Sequence, residues 1–132
     1  MKENDKQAQA AVGAGLAPAL PAAQPAPALP LAQAKALQGL VESQEGSIVS
    51  RTILGGKAGS VSLFAFAAGQ GLSEHTAPFD ALIHVYDGEA EVIISAKPIT
   101  VKAGEMVVMP ANEPHALKGH VPFKMVLTMI RA

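Results

Sequence analysis

The chain has 132 residues, 10 basic and 11 acidic side chains, a formal net charge of −1 and no cysteine. That length supplies one domain with a single core, and the balanced charge lacks the positive field that nucleic acid or an anionic membrane surface selects, so neither is expected as a partner. Without cysteine there is no disulfide framework, thiolate zinc site or cysteine nucleophile, and any metal is expected on nitrogen and oxygen donors.

The first residues, MKENDKQAQ, mix acidic and basic side chains ahead of an alanine stretch broken by proline, a poor match to a signal peptide. No apolar run approaches the length of a membrane-spanning helix, so a soluble cytoplasmic location is the expectation. Residues 8–34 are almost wholly Ala, Pro, Gln, Gly and Leu, with Pro18, Pro21, Pro25, Pro27 and Pro30 each removing a backbone donor and biasing the preceding residue away from helix. Residues 1–34 therefore read as a disordered, partly polyproline-like Ala/Pro-rich tail, and residues 35–132 as the folded domain.

After Lys35 the pattern changes. KALQGLVES predicts a helical turn or two. Eight short apolar runs follow: SIVSRTIL, SVSLFAFA, DALIHVY, AEVIIS, PITV, EMVVMP, HALK and FKMVLTMI. Their near-regular spacing and Gly/Pro-rich joins predict an all-β antiparallel sandwich or barrel. VYDGEAEV predicts a hairpin, because Asp-Gly supplies the positive φ values of a two-residue turn. FAFA, VIIS, MVVM and KMVLTMI are apolar on both faces, so the outer face of the sheet needs a cover. A second copy of the chain supplies it in a homodimer, with Phe64, Val92, Met125 and Met129 as candidate contacts; the alternative cover is the short turn near Leu37 and Leu40.

Four histidines are present, at 75, 84, 115 and 120. His75 follows AAGQGLSE and His115 follows AGEMVVMPANEP, each a strand leading into a Gly/Pro corner, and such corners bring distant segments to one barrel mouth. With these residues the sequence resembles the cupin superfamily of small jelly-roll barrels, or double-stranded β-helices. The first cupin motif, G-x5-H-x-H-x3,4-E-x6-G, finds Gly69, His75 and Gly88; the second, G-x5-P-x-G-x2-H-x3-N, finds Gly104, Pro110 and His115. The resemblance spans roughly residues 46–132. Metal-dependent cupins draw four ligands from these motifs, and carried over they fall on His75, Ala77, Ala81 and His115, so two of the four donors are missing. Asn112 stands at the second motif's glycine, where its tolerance of left-handed geometry serves the same turn, and Gly119 stands at its asparagine.

What the resemblance implies is a site marked by His75 and His115, holding at most one loosely bound divalent transition metal (Zn, Ni, Fe or Mn), with Ala77, Ala81, Ile83 and Val85 lining the pocket. Alternatively the two histidines bond each other or a buried water. Strand alternation points His84 outward if Ala81 faces in; a bulge would bring His84 to the site, and Glu74 or Asp80 could supply a carboxylate from nearby loops. Arg51 and Arg131 are the only arginines, too few to grip the phosphates of a sugar nucleotide. Two functions lead: a protein that binds a small molecule without turnover or with weak activity, and a metal-dependent dioxygenase or isomerase acting on a small enol or keto compound; a third is the sensor half of a regulator, acting through a partner.

Overall fold

A computed structural model describes residues 29–131, so most of the tail, residues 1–28, lies outside the described residues. A 3-10 turn at Leu37–Gly39 precedes nine strands: β1 (Ile48–Gly56), β2 (Gly59–Phe66), β3 (Gly71–His75), β4 (Asp80–Asp87), β5 (Glu89–Ile94), β6 (Lys97–Lys102), β7 (Met106–Met109), β8 (His115–Lys118) and β9 (Phe123–Ile130). They form a five-stranded sheet in the order β1-β2-β9-β4-β7 and a four-stranded sheet in the order β3-β8-β5-β6. All pairings are antiparallel. The expected all-β jelly roll is what forms. No helix among the described residues is long and apolar enough to cross a membrane.

GLSEH, outside the eight apolar runs, adds a ninth strand, β3; with Leu72 its only aliphatic side chain of any size, it carries no alternation to read. KALQGLVES gives a single helical turn, of the 3-10 kind. One local expectation is corrected. Asp87-Gly88 does not close a hairpin, because β4 pairs with β7 and β9 while β5 pairs with β6 and β8. It is a corner where the chain passes from one sheet to the other. Gly88 has φ 72° there, and a Cβ on it would lie 2.2 Å from the Pro122 carbonyl oxygen. The two-residue turn instead joins β5 to β6 at Ser95-Ala96, both with positive φ (48° and 69°), a type I′ geometry built without the usual Asn or Gly.

Alternation places Phe64 and Phe66 of β2, Ala81, Ile83 and Val85 of β4, Ala90 and Val92 of β5, and Phe123 and Met125 of β9 in one interior between the sheets. Phe66 and Phe123 stack with centroids 4.4 Å apart and planes 8° apart, closing one end. Phe64, Val92 and Met125 thus serve the interior and not an intermolecular face, and Met129 packs against the same interior. The error was one of phase: a strand apolar on both faces does not say which of its residues point in.

The outer face of the five-stranded sheet is covered in part by the chain itself. Val41 and Leu40 pack with Leu63, Ala65, Val49, Ile53, Tyr86 and Val126. Three hydrogen bonds hold that strap: Lys124 Nζ donates to the Gln38 carbonyl at 2.9 Å, Arg51 Nη1 to the Leu40 carbonyl at 3.1 Å, and Gln38 Nε2 to the Tyr86 carbonyl at 3.2 Å. The alternative cover near Leu37 and Leu40 is therefore realised over the β1-β2-β9 side. Beyond it the cross-strand neighbours Leu82–Val108 and His84–Met106 leave Met106 and Val108 56% and 54% exposed.

Candidate ligand and metal site

The site lies at the end of the barrel opposite the stacked phenylalanines, where β3 meets β8. Leu72 pairs with Leu117 and His75 with His115, and one extra residue is taken up on β3 between these pairs. That bulge decides which side chain faces in. An unbroken register would set Glu74 opposite His115; with the extra residue Glu74 is exposed and His75 takes the inner position. His115 lies two residues from Leu117 on the same face, and both are 4% exposed.

The two imidazoles meet edge to face, with centroids 4.4 Å apart and planes at 70°. They do not bond each other. Each Nδ1 is tied to a backbone carbonyl two residues earlier, His75 to Ser73 at 2.8 Å and His115 to Glu113 at 3.1 Å. A carbonyl can only accept, so each Nδ1 carries the proton and each Nε2 presents a lone pair. Burial holds the His75 pKa below the usual imidazole value against the opposing pull of the Ser73 carbonyl. For His115, burial and the neighbouring His75 charge outweigh the Glu113 carbonyl and push the pKa down to about 4. Both rings are neutral at neutral pH.

The loop before His115 is fixed from several sides. The Asp80 carboxylate accepts from the Ala111 N–H at 2.8 Å, Asn112 donates its N–H to the Ala77 carbonyl at 2.7 Å, and the Ser95 hydroxyl donates to the Glu113 carboxylate. Asn112 has φ 65°, the left-handed conformation expected of it.

The fold also places the other candidates. Asp80 positions a loop. His84 points to the outer face, since the β4 register against β9 runs without a shift from Asp80 to Val85. Ala81 is 3% exposed on the inner face, and Ala77 is half-buried. Ile83 and Val85 are fully buried core residues. Val85 exchanges backbone hydrogen bonds with Gly104 and Glu105 near the closed end, so it belongs to the packed interior more than to the mouth. Among the described residues no group of three or more His, Cys, Asp or Glu side chains could hold a metal ion. The residues present therefore do not fit the four-ligand centre of metal-dependent cupins. What fits is a pair of neutral nitrogen donors.

A family model described as Cupin domain matches residues 62–130. The chain is a cupin. Three solved structures share the fold. A conserved protein of unknown function from Streptococcus pyogenes is 28% identical with a TM-score of 0.76, the match covering 85% of this chain and 98% of that one. A Cupin 2 conserved barrel domain protein from Leptotrichia buccalis is 41% identical with a TM-score of 0.70, over 72% of this chain and 46% of that one. A cupin superfamily protein from Desulfitobacterium hafniense is 28% identical with a TM-score of 0.74, over 79% of this chain and 95% of that one. No curated protein matches. Sequence reasoning found both histidines; it missed the β3 bulge that selects His75 over Glu74, for which the only sequence signal is the lone aliphatic Leu72 in GLSEH.

Proposed function

We propose that this cupin binds a small molecule at its histidine end, and that it does so without relying on a tightly held metal. The observation that carries this is the pair of neutral imidazoles with both Nδ1 atoms spent on carbonyls. Two Nε2 lone pairs on adjacent, largely buried rings are suited to accept hydrogen bonds from a hydroxyl or enol of an uncharged ligand. They also supply two nitrogen donors to a divalent metal, which with water completing its shell is held more loosely than by four protein ligands. General-base catalysis is less well served. The most effective base has a pKa near the working pH, and His115 at about 4 lies well below neutrality. The alternative, a dioxygenase or isomerase acting on an enol or keto compound, needs a retained metal that alanines at 77 and 81 do not help to hold.

Metal analysis of the dialysed full chain tests this. Little Ni²⁺ or Mn²⁺ should survive a mild chelator, whereas the double variant Ala77→His, Ala81→Glu should retain it. Near-stoichiometric divalent metal in the natural chain after the same treatment would sink the binding-only reading.

The uncovered part of the outer face is proposed to pair with a second copy of the chain. Strand β7 is an edge of its sheet, and its sequence MVVM lacks the charge, proline or bulge that usually protects an edge. Sedimentation should find a dimer that Met106→Lys with Val108→Lys dissociates; a natural chain that sediments as a monomer rejects the pairing.

A further inference from the structure

The absence of cysteine directs attention to nitrogen and oxygen donors, but the interior holds sulfur of another kind. Ala81, the position where metal-dependent cupins carry a ligating glutamate, has two cross-strand partners: Met109 on β7 and Met129 on β9. Directly paired residues share a face, and here it is the inner one. Met109 is 3% exposed within the core cluster, and Met129 packs against that cluster. The alanine thus leaves the place of a carboxylate between two methionines in register, each an unbranched side chain with three rotatable bonds and a thioether. Met125 pairs with Val85, further toward the closed end, and Met106 faces outward.

We propose that the histidine end of this cupin is a soft-donor site for a monovalent thiophilic cation of the Cu(I) class, in which the Met109 and Met129 thioethers join the His75 and His115 imidazoles. This rests on the histidine-pair reading given above. Softness and charge both favour it. Thioether sulfur selects Cu(I), whereas carboxylate and water suit the harder divalent ions. Two imidazoles and two thioethers form a neutral donor set, which offers no negative charge against the desolvation of a dication; the cost of burying an ion rises steeply with its charge, so a monovalent ion is the better match. The carboxylates that could have changed this balance are engaged elsewhere: Asp80 holds the Ala111 N–H, Glu113 takes the Ser95 hydroxyl, and the bulge leaves Glu74 exposed. The cation is supplied already as Cu(I), so no electron transfer is involved.

The full chain, freed of metal, is titrated anaerobically with Cu(I) against a chromogenic Cu(I) chelator and separately with Ni²⁺, and the copper-loaded protein is examined by X-ray absorption. With no cysteine in the chain, any copper–sulfur scattering must come from methionine. Sulfur and nitrogen scattering are both expected. The double variant Met109→Leu, Met129→Leu, close to volume-conserving, should weaken Cu(I) by about 10–100-fold, at least the loss caused by removing a mere neighbour of a metal ligand, and leave Ni²⁺ binding unchanged. Ag⁺ added to natural protein labelled at the methionine methyls needs no variant: the Met109 and Met129 signals should shift and Met106 should not. Nitrogen-only scattering, or Ag⁺ shifts confined to other methionines, overturns the soft-donor site while Ni²⁺ binding to the histidines leaves the pair reading standing. Failure of Cu(I), Ag⁺ and Ni²⁺ alike to bind overturns the soft-donor site and the pair's metal-holding role together.

Discussion

At each end of this barrel two rings meet at the same centroid separation, 4.4 Å, and the similarity stops there. Phe66 and Phe123 lie nearly parallel at 8°, while His75 and His115 stand at 70°. The phenylalanine end is filled by shape. Gly119 is buried against Phe123, and a Cβ on it would come 2.6 Å from that ring; this is a steric reason for glycine where the cupin motif carries asparagine. At the histidine end geometry is imposed by backbone polar groups instead, since the Ser73, Glu113 and Ala77 carbonyls all accept hydrogen bonds that orient the rings or the loop before His115.

The contrast can be broken at the closed end first. Phe66→Ala should lower unfolding free energy by about 3–5 kcal/mol, the usual cost of deleting a buried aromatic ring, read from urea melts, and should leave the His75 and His115 ring-nitrogen resonances of the surviving folded protein in place. A loss under about 1 kcal/mol would mean the stacked pair does not anchor that end.

Acid should sharpen the difference at the other end. The His115 pKa is about 4 in the folded chain against an ordinary value of 6.5, so between these limits the unfolded chain binds more protons than the folded one. Stability is then complete above about pH 6.5 and falls as pH drops toward 4, by up to about 3 kcal/mol from this group alone. His75, shifted in the same direction, adds to the slope. Urea midpoints measured across that window should flatten in His115→Leu; an unchanged slope would show that burial does not control this ring.

Much of the fold was legible because apolar runs and turn residues recur at strand spacing, and the two motifs put His75 and His115 in register. What was not legible had local causes. Asp87-Gly88 has the chemistry of a hairpin, yet strand partnership is a non-local property and made it a corner. Ser95-Ala96 makes the true tight turn with residues that seldom signal one. In GLSEH a single bulged residue, invisible in the pattern, decides whether a carboxylate or an imidazole faces inward. Met125 and Met129 read as candidate dimer contacts because a thioether looks like any aliphatic group until its neighbours are known.

Strand β9 sits at the middle of the five-stranded sheet, between β2 and β4. Because its residues reach Ile130, the emerging polypeptide cannot complete this sheet until that stretch has cleared the ribosome; β2 finds β1 at once, but its second neighbour lies far along the chain, Phe66 pairing with Phe123 and Gly59 with Ile130. Until then the β1–β2 hairpin keeps one edge open, with the apolar side chains of Phe64 and Phe66 still lacking the β9 residues they pack against.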